Sequence, residues 1–283
     1  MEESVKTVNT VKSVKTVKRP RLSHLGVAAL CGVALLWTSP AHAQLAAPGE
    51  AGVAMGHVHL VARDLEASRR FFTALGGTPV QNGTLQMIRF PGVFILLRQA
   101  EPTGGTVGSV MNHFGFNVKD IKSSVARWQA AGLKVEPGNR AEQAWLMTPD
   151  DARVEILEDA AIAEPIRMHH LHWNVVAVPE MQAWYAKHFG AVPGKRGQFD
   201  AGDLPGVNLT FGKVDAVNPG TRGRAVDHIG FEVRGLAAFV ARLDAAGVKV
   251  DAPIRKAGNG TTSIAFLTDP WGTYIELTEG LAP

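Results

Sequence analysis

Four histidines, His57, His113, His170 and His228, each stand in a short apolar segment that runs into an amphipathic stretch ending at glycine: Gly76, Gly132, Gly190 and Gly247. The intervals are 19, 19, 20 and 19 residues, so one unit is written four times with an imidazole at the same place in each. Shifting the first half of the chain by 113 to 121 residues lays His57 on His170, His113 on His228 and Glu155 on Glu276. Two imidazoles and a carboxylate on one side of a divalent ion leave up to three coordination positions open. Such a set suits Fe, Mn, Zn, Ni or Co and a substrate that binds through two adjacent oxygens. His59 and His172 follow two residues after His57 and His170, a spacing that in a strand points them to the same face. There an imidazole can orient a ligand, contact substrate or move a proton near neutral pH.

The elements that must position these groups can be read from the same segments. Each unit opens on a strand signature, at residues 56–61, 112–118, 169–175 and 226–233. Asp64 and Asp120 are placed to accept from free first-turn amides of the helices that follow. Pro179 suits a first turn, and the glycines supply left-handed stops. Ile121, Val125 and Trp128, or Leu236, Val240 and Leu243, recur at helical spacing and predict a face packed on a sheet. Short strands separated by turn residues follow each helix, among them residues 85–90, 93–98, 262–268 and 273–278. The fold class expected is α+β, with four βαβββ units. One unit has a single curved sheet and cannot bury both faces, so two must pair into an eight-stranded cup with a concave pocket. The expected organisation is a first domain at 44–160 and a second at 166–283, each of two consecutive units, with residues 158–165 as linker.

The formal net charge of +3 is misleading as a sign of an anionic partner. Residues 1–43 hold Lys6, Lys12, Lys15, Lys18, Arg19 and Arg21 against Glu2 and Glu3, so the remainder carries about −1 by subtraction. No nucleic-acid partner is expected. The N-terminal segment has a basic start, an apolar run from Val27 to Trp37 and Ala41-His42-Ala43 as a small-x-small site before Gln44, which reads as a cleaved secretory signal. That run is too short to span a bilayer, which takes about 20 residues, so no stable membrane insertion is expected after cleavage. A periplasmic or secreted location follows. Cys31, the one cysteine, falls inside the signal, and the mature chain has no thiol.

The βαβββ units with a histidine in the first strand, the helices ending in Ala-Ala-Gly, and above all the run Leu267-Thr268-Asp269-Pro270-Trp271-Gly272-Thr273-Tyr274-Ile275-Glu276-Leu277 resemble the vicinal oxygen chelate superfamily. That group includes glyoxalase I, fosfomycin- and bleomycin-resistance proteins and type I extradiol dioxygenases. The resemblance covers residues 56–280 and implies a fold more strongly than a reaction.

It implies a divalent-metal site of His170, His228 and Glu276 in the second half. The first half repeats the pattern as His57, His113 and Glu155, in the segment Pro149 to Leu157, whose turn lacks the glycine of its counterpart. His172 is the candidate general base and Asn208 a candidate hydrogen-bonding residue of the pocket. Departures narrow the chemistry. Glyoxalase I uses a second glutamate from another last strand, where this chain reads Val207-Asn208-Leu209-Thr210, or Val93-Phe94-Ile95-Leu96 in the first half. Ten residues before Glu276, where extradiol enzymes place a tyrosine, stands Phe266. There is no phosphate-binding glycine loop and no Gly-x-Ser-x-Gly elbow. The reading is an exported metal-dependent enzyme of lyase, isomerase or dioxygenase type acting on a small molecule. The alternative is a sequestering binding protein like the bleomycin-resistance members, and homo-oligomerisation is compatible with either.

Overall fold

The computed structural model describes residues 45–282, so the segment expected to be an export signal, with Cys31, lies outside the described residues. The first unit comprises β1 (Val53–Ala62), α1 (Leu65–Leu75), β2 (Thr78–Asn82), β3 (Leu85–Phe90) and β4 (Val93–Gln99). The second comprises β5 (Met111–Val118), α2 (Ile121–Ala130), β6 (Val135–Pro137), β7 (Gln143–Met147) and β8 (Arg153–Glu158). The third comprises β9 (Ile166–Val175), α3 (Val178–Phe189), β10 (Val192–Arg196), β11 (Phe199–Leu204) and β12 (Val207–Lys213). The fourth comprises β13 (Val226–Val233), α4 (Leu236–Ala245), β14 (Arg255–Lys256), β15 (Ser263–Thr268) and β16 (Tyr274–Glu279). The strand–helix–three-strand unit therefore occurs four times, and among the described residues no helix is long and apolar enough to cross a membrane.

The helix ends form as their residue types dictate. Asp64 accepts from the amides of Glu66 and Ala67 at 2.8 and 3.1 Å, and Asp120 from that of Ser123 at 2.9 Å. Proline occupies the first turn of α3, and Gly190 closes it at φ 74°. Each helix buries one apolar stripe, such as Phe71, Phe72 and Leu75 on α1 or Leu236, Phe239 and Leu243 on α4.

The strands make two eight-stranded mixed sheets, ordered β14-β15-β16-β13-β1-β4-β3-β2 and β10-β11-β12-β9-β5-β8-β7-β6. The α+β class and the pairing of four units into two eight-stranded sheets are as the sequence predicts. The choice of partners is not. The first unit pairs with the fourth through antiparallel β1 and β13, and the second with the third through β5 and β9. The expected division into 44–160 and 166–283 is thereby corrected, because residues 159–165 connect neighbouring parts of one sheet.

Strand register gives the physical reason. Glu158 of β8 and Ile166 of β9 both lie opposite Val118 of β5, on its two sides, so a short connection at that end places β9 beside β5. The longer segments 100–110 and 214–225 carry the chain from one sheet to the other.

One continuous core joins the sheets. Phe90 of β3 meets Phe116 of β5 at a ring separation of 4.7 Å, and Phe189 of α3 meets Phe231 of β13 at 5.1 Å. The Asp-Pro-Trp-Gly-Thr turn is part of this weld. Asp269 accepts from the amides of Trp271 and Thr273 at 3.0 and 2.7 Å and from the Tyr185 hydroxyl at 2.9 Å, while Trp173 Nε1 donates to Thr273 Oγ1 at 2.9 Å. The corresponding turn before β8 reaches the same geometry without glycine: Asp151 adopts φ 65°, where Gly272 adopts 94°.

Candidate metal centres

Bringing two first strands side by side brings their histidines together. In the first sheet His59 lies opposite His228, and His57 opposite Gly230. Glu276 of β16 is in register with Gly230 on the far side of β13. The result is a cluster of His57, His59, His228 and Glu276 whose ligand atoms all lie within 4.8 Å of one another. Glu276 Oε2 stands 2.9 Å from His228 Nε2 and 3.1 Å from His57 Nε2. The second sheet repeats this with His113, His170 and His172. There Glu155 Oε2 is 2.9 Å from His170 Nε2 and 3.2 Å from His113 Nε2.

The expected triads are thus re-sorted. His170 joins His113 and Glu155, and His57 joins His228 and Glu276. Each centre keeps two imidazoles and one carboxylate, and the histidines of the first and third units change places because those units change partners. His172, expected as the base beside Glu276, belongs to the second centre. Its place at the first is taken by His59.

The residues fit a divalent ion. The imidazoles need room, which glycine provides: a β-carbon at Gly230 would stand 2.0 Å from the His57 ring, and one at Gly115 would stand 2.1 Å from the His170 ring. His170 Nε2 and Glu155 Oε2 are close but off the angle of a hydrogen bond, as two donors converging on a shared point would be. His57 Nδ1, both ring nitrogens of His59 and His172 Nδ1 are buried without a hydrogen-bond partner among the described residues. His228 Nδ1 lies 2.6 Å from Asp227 Oδ1, and assigning the proton to that nitrogen leaves the Nε2 lone pair facing the centre.

Charge follows the same geometry. Burial alone would raise the Glu276 carboxyl, but the bonds to His228 and His57 outweigh it and hold the group far below the usual carboxylate range. Burial likewise opposes a charged His228, yet Asp227 and Glu276 raise its pKa above the usual imidazole value. Burial, then the neighbouring His228 and His57, hold His59 well below it, so His59 is neutral at neutral pH.

The two centres differ in what surrounds the carboxylate. At the second, Arg196 Nη2 lies 3.3 Å from Glu155 Oε2, and Gln143 Nε2 donates to Glu155 Oε1. Arg196 also donates to Thr210 Oγ1 at 3.3 Å, and Thr210 in turn donates to Asn208 Oδ1 at 2.7 Å. Asn208 therefore belongs to a chain leading to Glu155, not to the centre holding Glu276. Register also shows that the positions matching Glu276 and Glu155 are Leu96, opposite His59, and Thr210, opposite His172. No arginine or lysine pairs with Glu276 among the described residues, and a cavity of about 450 Å³ opens on His57, His59, His228 and Glu276.

A model of the Glyoxalase/Bleomycin resistance protein/Dioxygenase superfamily matches residues 112–277, more than half of the chain. The chain belongs to this superfamily. Its fold is also that of two solved structures. Glyoxalase I from Zea mays superposes with a TM-score of 0.63 at 16% identity, covering 80% of this chain and 92% of that one. A candidate dioxygenase from Bacillus subtilis gives 0.60 at 13%, covering 84% and 86%. No curated protein sequence matches the chain. Within the superfamily fold, the sheet pairing described above is what assigns each histidine of this chain to its centre.

Two consequences are measurable. Gly230→Ala drives a methyl group into the His57 ring, so we expect a destabilisation of about 1–3 kcal/mol, the usual range for overpacking. Weaker metal uptake should accompany it, with denaturant unfolding and metal titration as the measurements. The second concerns acid. Burial, reinforced by nearby positive charge, depresses His172 to about 3 and His169 to about 4. Both groups bind protons more readily when unfolded. Their contribution to stability is complete above the ordinary histidine value and is lost as the pH falls from about 6.5 toward 3. Each group adds a slope of at most about 1.4 kcal/mol per pH unit. The urea midpoint of metal-free protein should fall steadily between pH 6.5 and 4, and His172→Gln should flatten that slope.

Proposed function

We propose that the protein is a metal-dependent enzyme whose working centre is His57, His228 and Glu276, with His59 as the proton-transfer group. The observation that carries this reading is the convergence of these four side chains on the floor of an accessible cavity, with both His59 nitrogens unpartnered. A divalent ion held there supplies Lewis acidity to a small molecule bound through neighbouring oxygens. His57 and His228 are the nitrogen ligands because their Nε2 atoms face Glu276 Oε2 at 3.1 and 2.9 Å, a contact His59 does not make. Asp227 fixes the His228 ring and its tautomer. His59, neutral and with its ring 4.5 Å from that of His228, is placed to take a proton from carbon or oxygen beside the chelated group. Phe266 and Tyr274 stack on one another at 5.1 Å and keep water from that side of His228.

Lyase and isomerase reactions share such a proton transfer. The test is exchange of the carbon-bound protons of hydroxyacetone in deuterated water, followed by NMR. Metal-loaded protein should accelerate it, and His59→Gln should abolish the acceleration while retaining the metal. Binding of hydroxyacetone with no acceleration would favour a sequestering protein instead. Export is part of the proposal and rests on the three-part N-terminal signal; a mature N-terminus at Gln44 in protein recovered from the periplasm or the medium checks it.

A further inference from the structure

The mouth of the cavity above the first centre carries three guanidinium groups from three parts of the fold: Arg98 in β4, Arg222 in the segment 214–225 and Arg255 in β14. Arg98 is answered by Asp227 at 3.6 Å. Neither Arg222 nor Arg255 pairs with a carboxylate among the described residues. Each instead lies over an aromatic ring of the cavity wall, Arg222 at 4.4 Å from the centre of Tyr274 and Arg255 at 5.8 Å from that of Phe266.

An exposed arginine is ordinarily a solvated charge on a mobile stem. Two that are stacked on adjoining rings at the mouth of one cavity are held in place. A guanidinium lying on a ring keeps its N–H groups free for a planar oxyanion. The carboxylates nearby are committed elsewhere: Glu276 to the two imidazoles, Asp227 to His228 and the Gly223 amide. Asp251 accepts from the Thr268 hydroxyl at 3.3 Å. At the second centre the comparable cation, Arg196, is turned inward onto Glu155 and offers no such edge.

We infer that the first centre takes small organic carboxylates, with two neighbouring oxygens toward His57, His228 and Glu276 and the carboxylate on Arg222 and Arg255. This rests on the metal-centre reading above and adds the chemical class of the substrate.

Hydroxamates, which chelate through two adjacent oxygens, separate the two ideas. Protein loaded with cobalt(II) is titrated with neutral acetohydroxamate and with the monohydroxamates of succinate and glutarate, following both heat and the visible cobalt spectrum. One of the carboxylate probes should bind at least about ten-fold more tightly than acetohydroxamate, a charge-assisted gain. In Arg222→Gln/Arg255→Gln the preference should vanish while the affinity for acetohydroxamate stays the same. Both positions are exposed, so the variant keeps the fold. Equal affinities in the unaltered protein, or a preference that survives in the double variant, overturn the inference and leave the metal centre standing. Failure to hold cobalt, or a cobalt spectrum that no hydroxamate perturbs, overturns the metal-centre reading and this inference with it.

Discussion

Protein spanning residues 44–283, purified without a metal-binding tag, is expected to carry about one divalent ion per chain, and His228→Ala to lose nearly all of it. The expectation follows from the donor count. His57, His228 and Glu276 are the minimum set for a tight site, and removing one imidazole leaves a single nitrogen and a carboxylate. Glu276→Gln should be as damaging, because the amide keeps the shape but removes the negative charge that balances the ion. Asp227→Asn acts at one remove: it weakens the hydrogen bond at 2.6 Å that directs the His228 lone pair. Its cost should be about 10- to 100-fold in affinity. Uptake should rise with pH, since His228 must lose its proton to bind and its pKa is raised by Asp227 and Glu276 against the effect of burial. Elemental analysis of the four proteins is the measurement. Two ions per chain in the unaltered protein, or an undiminished content in His228→Ala, would falsify the assignment.

Much of this centre is legible before any coordinates, and what is not has a definite cause. The four-fold recurrence of histidine fixes the first strands, and strand periodicity correctly places His59 on the face of His57 and His172 on that of His170. The partner of each unit is a different matter. Units one and three read His-x-His, at His57 to His59 and His170 to His172. Units two and four read His-x-Gly, at His113 to Gly115 and His228 to Gly230. Because the ring of His57 fills the space over Gly230, and that of His170 the space over Gly115, a His-x-His strand must lie beside a His-x-Gly strand. That rule excludes pairing units one and three but allows both one with two and one with four. Either choice gives two histidines and one glutamate per centre, so the ligand types are right under both and only the residue numbers differ.

The place of Asn208 is hidden in the sequence for a related reason. The position matching a glutamate is set by sheet register, and register puts Thr210, not Asn208, opposite His172. Arg196 carries no signal in the sequence. It ends an edge strand just before the turn at Gly197, where an arginine ordinarily faces solvent, and only the curl of the sheet turns it onto Glu155.

That arginine leads to the second large effect: Arg196→Gln should raise the metal content from about one ion per chain to about two. The second centre has the same three donors as the first, so ligand type cannot distinguish them. Electrostatics can. A guanidinium 3.3 Å from Glu155 Oε2 already neutralises the carboxylate that would attract the ion. A divalent ion about 5 Å away would be repelled by several kcal/mol at an effective dielectric constant of about 20. Burial lowers the pKa of Arg196 while Glu155 opposes the change, but an arginine side chain does not give up its proton in a protein. Discharging the centre by deprotonation is therefore closed, and the cation must be removed by substitution. Glutamine keeps a donor for Thr210 and takes away the charge. Titration of metal-free protein with zinc should show one strong site in the unaltered chain and two in Arg196→Gln. Adding Glu155→Gln to that variant should return the count to one. If Arg196→Gln still takes up a single ion, the guanidinium is not what separates the centres, and the difference must lie in the Asn112 amide. That group contacts His113 Nδ1 at 2.9 Å, where the first centre has the carboxylate of Asp227. Asn112→Asp in the Arg196→Gln background then distinguishes the two causes, since a carboxylate there strengthens the imidazole as a donor without altering the charge beside Glu155.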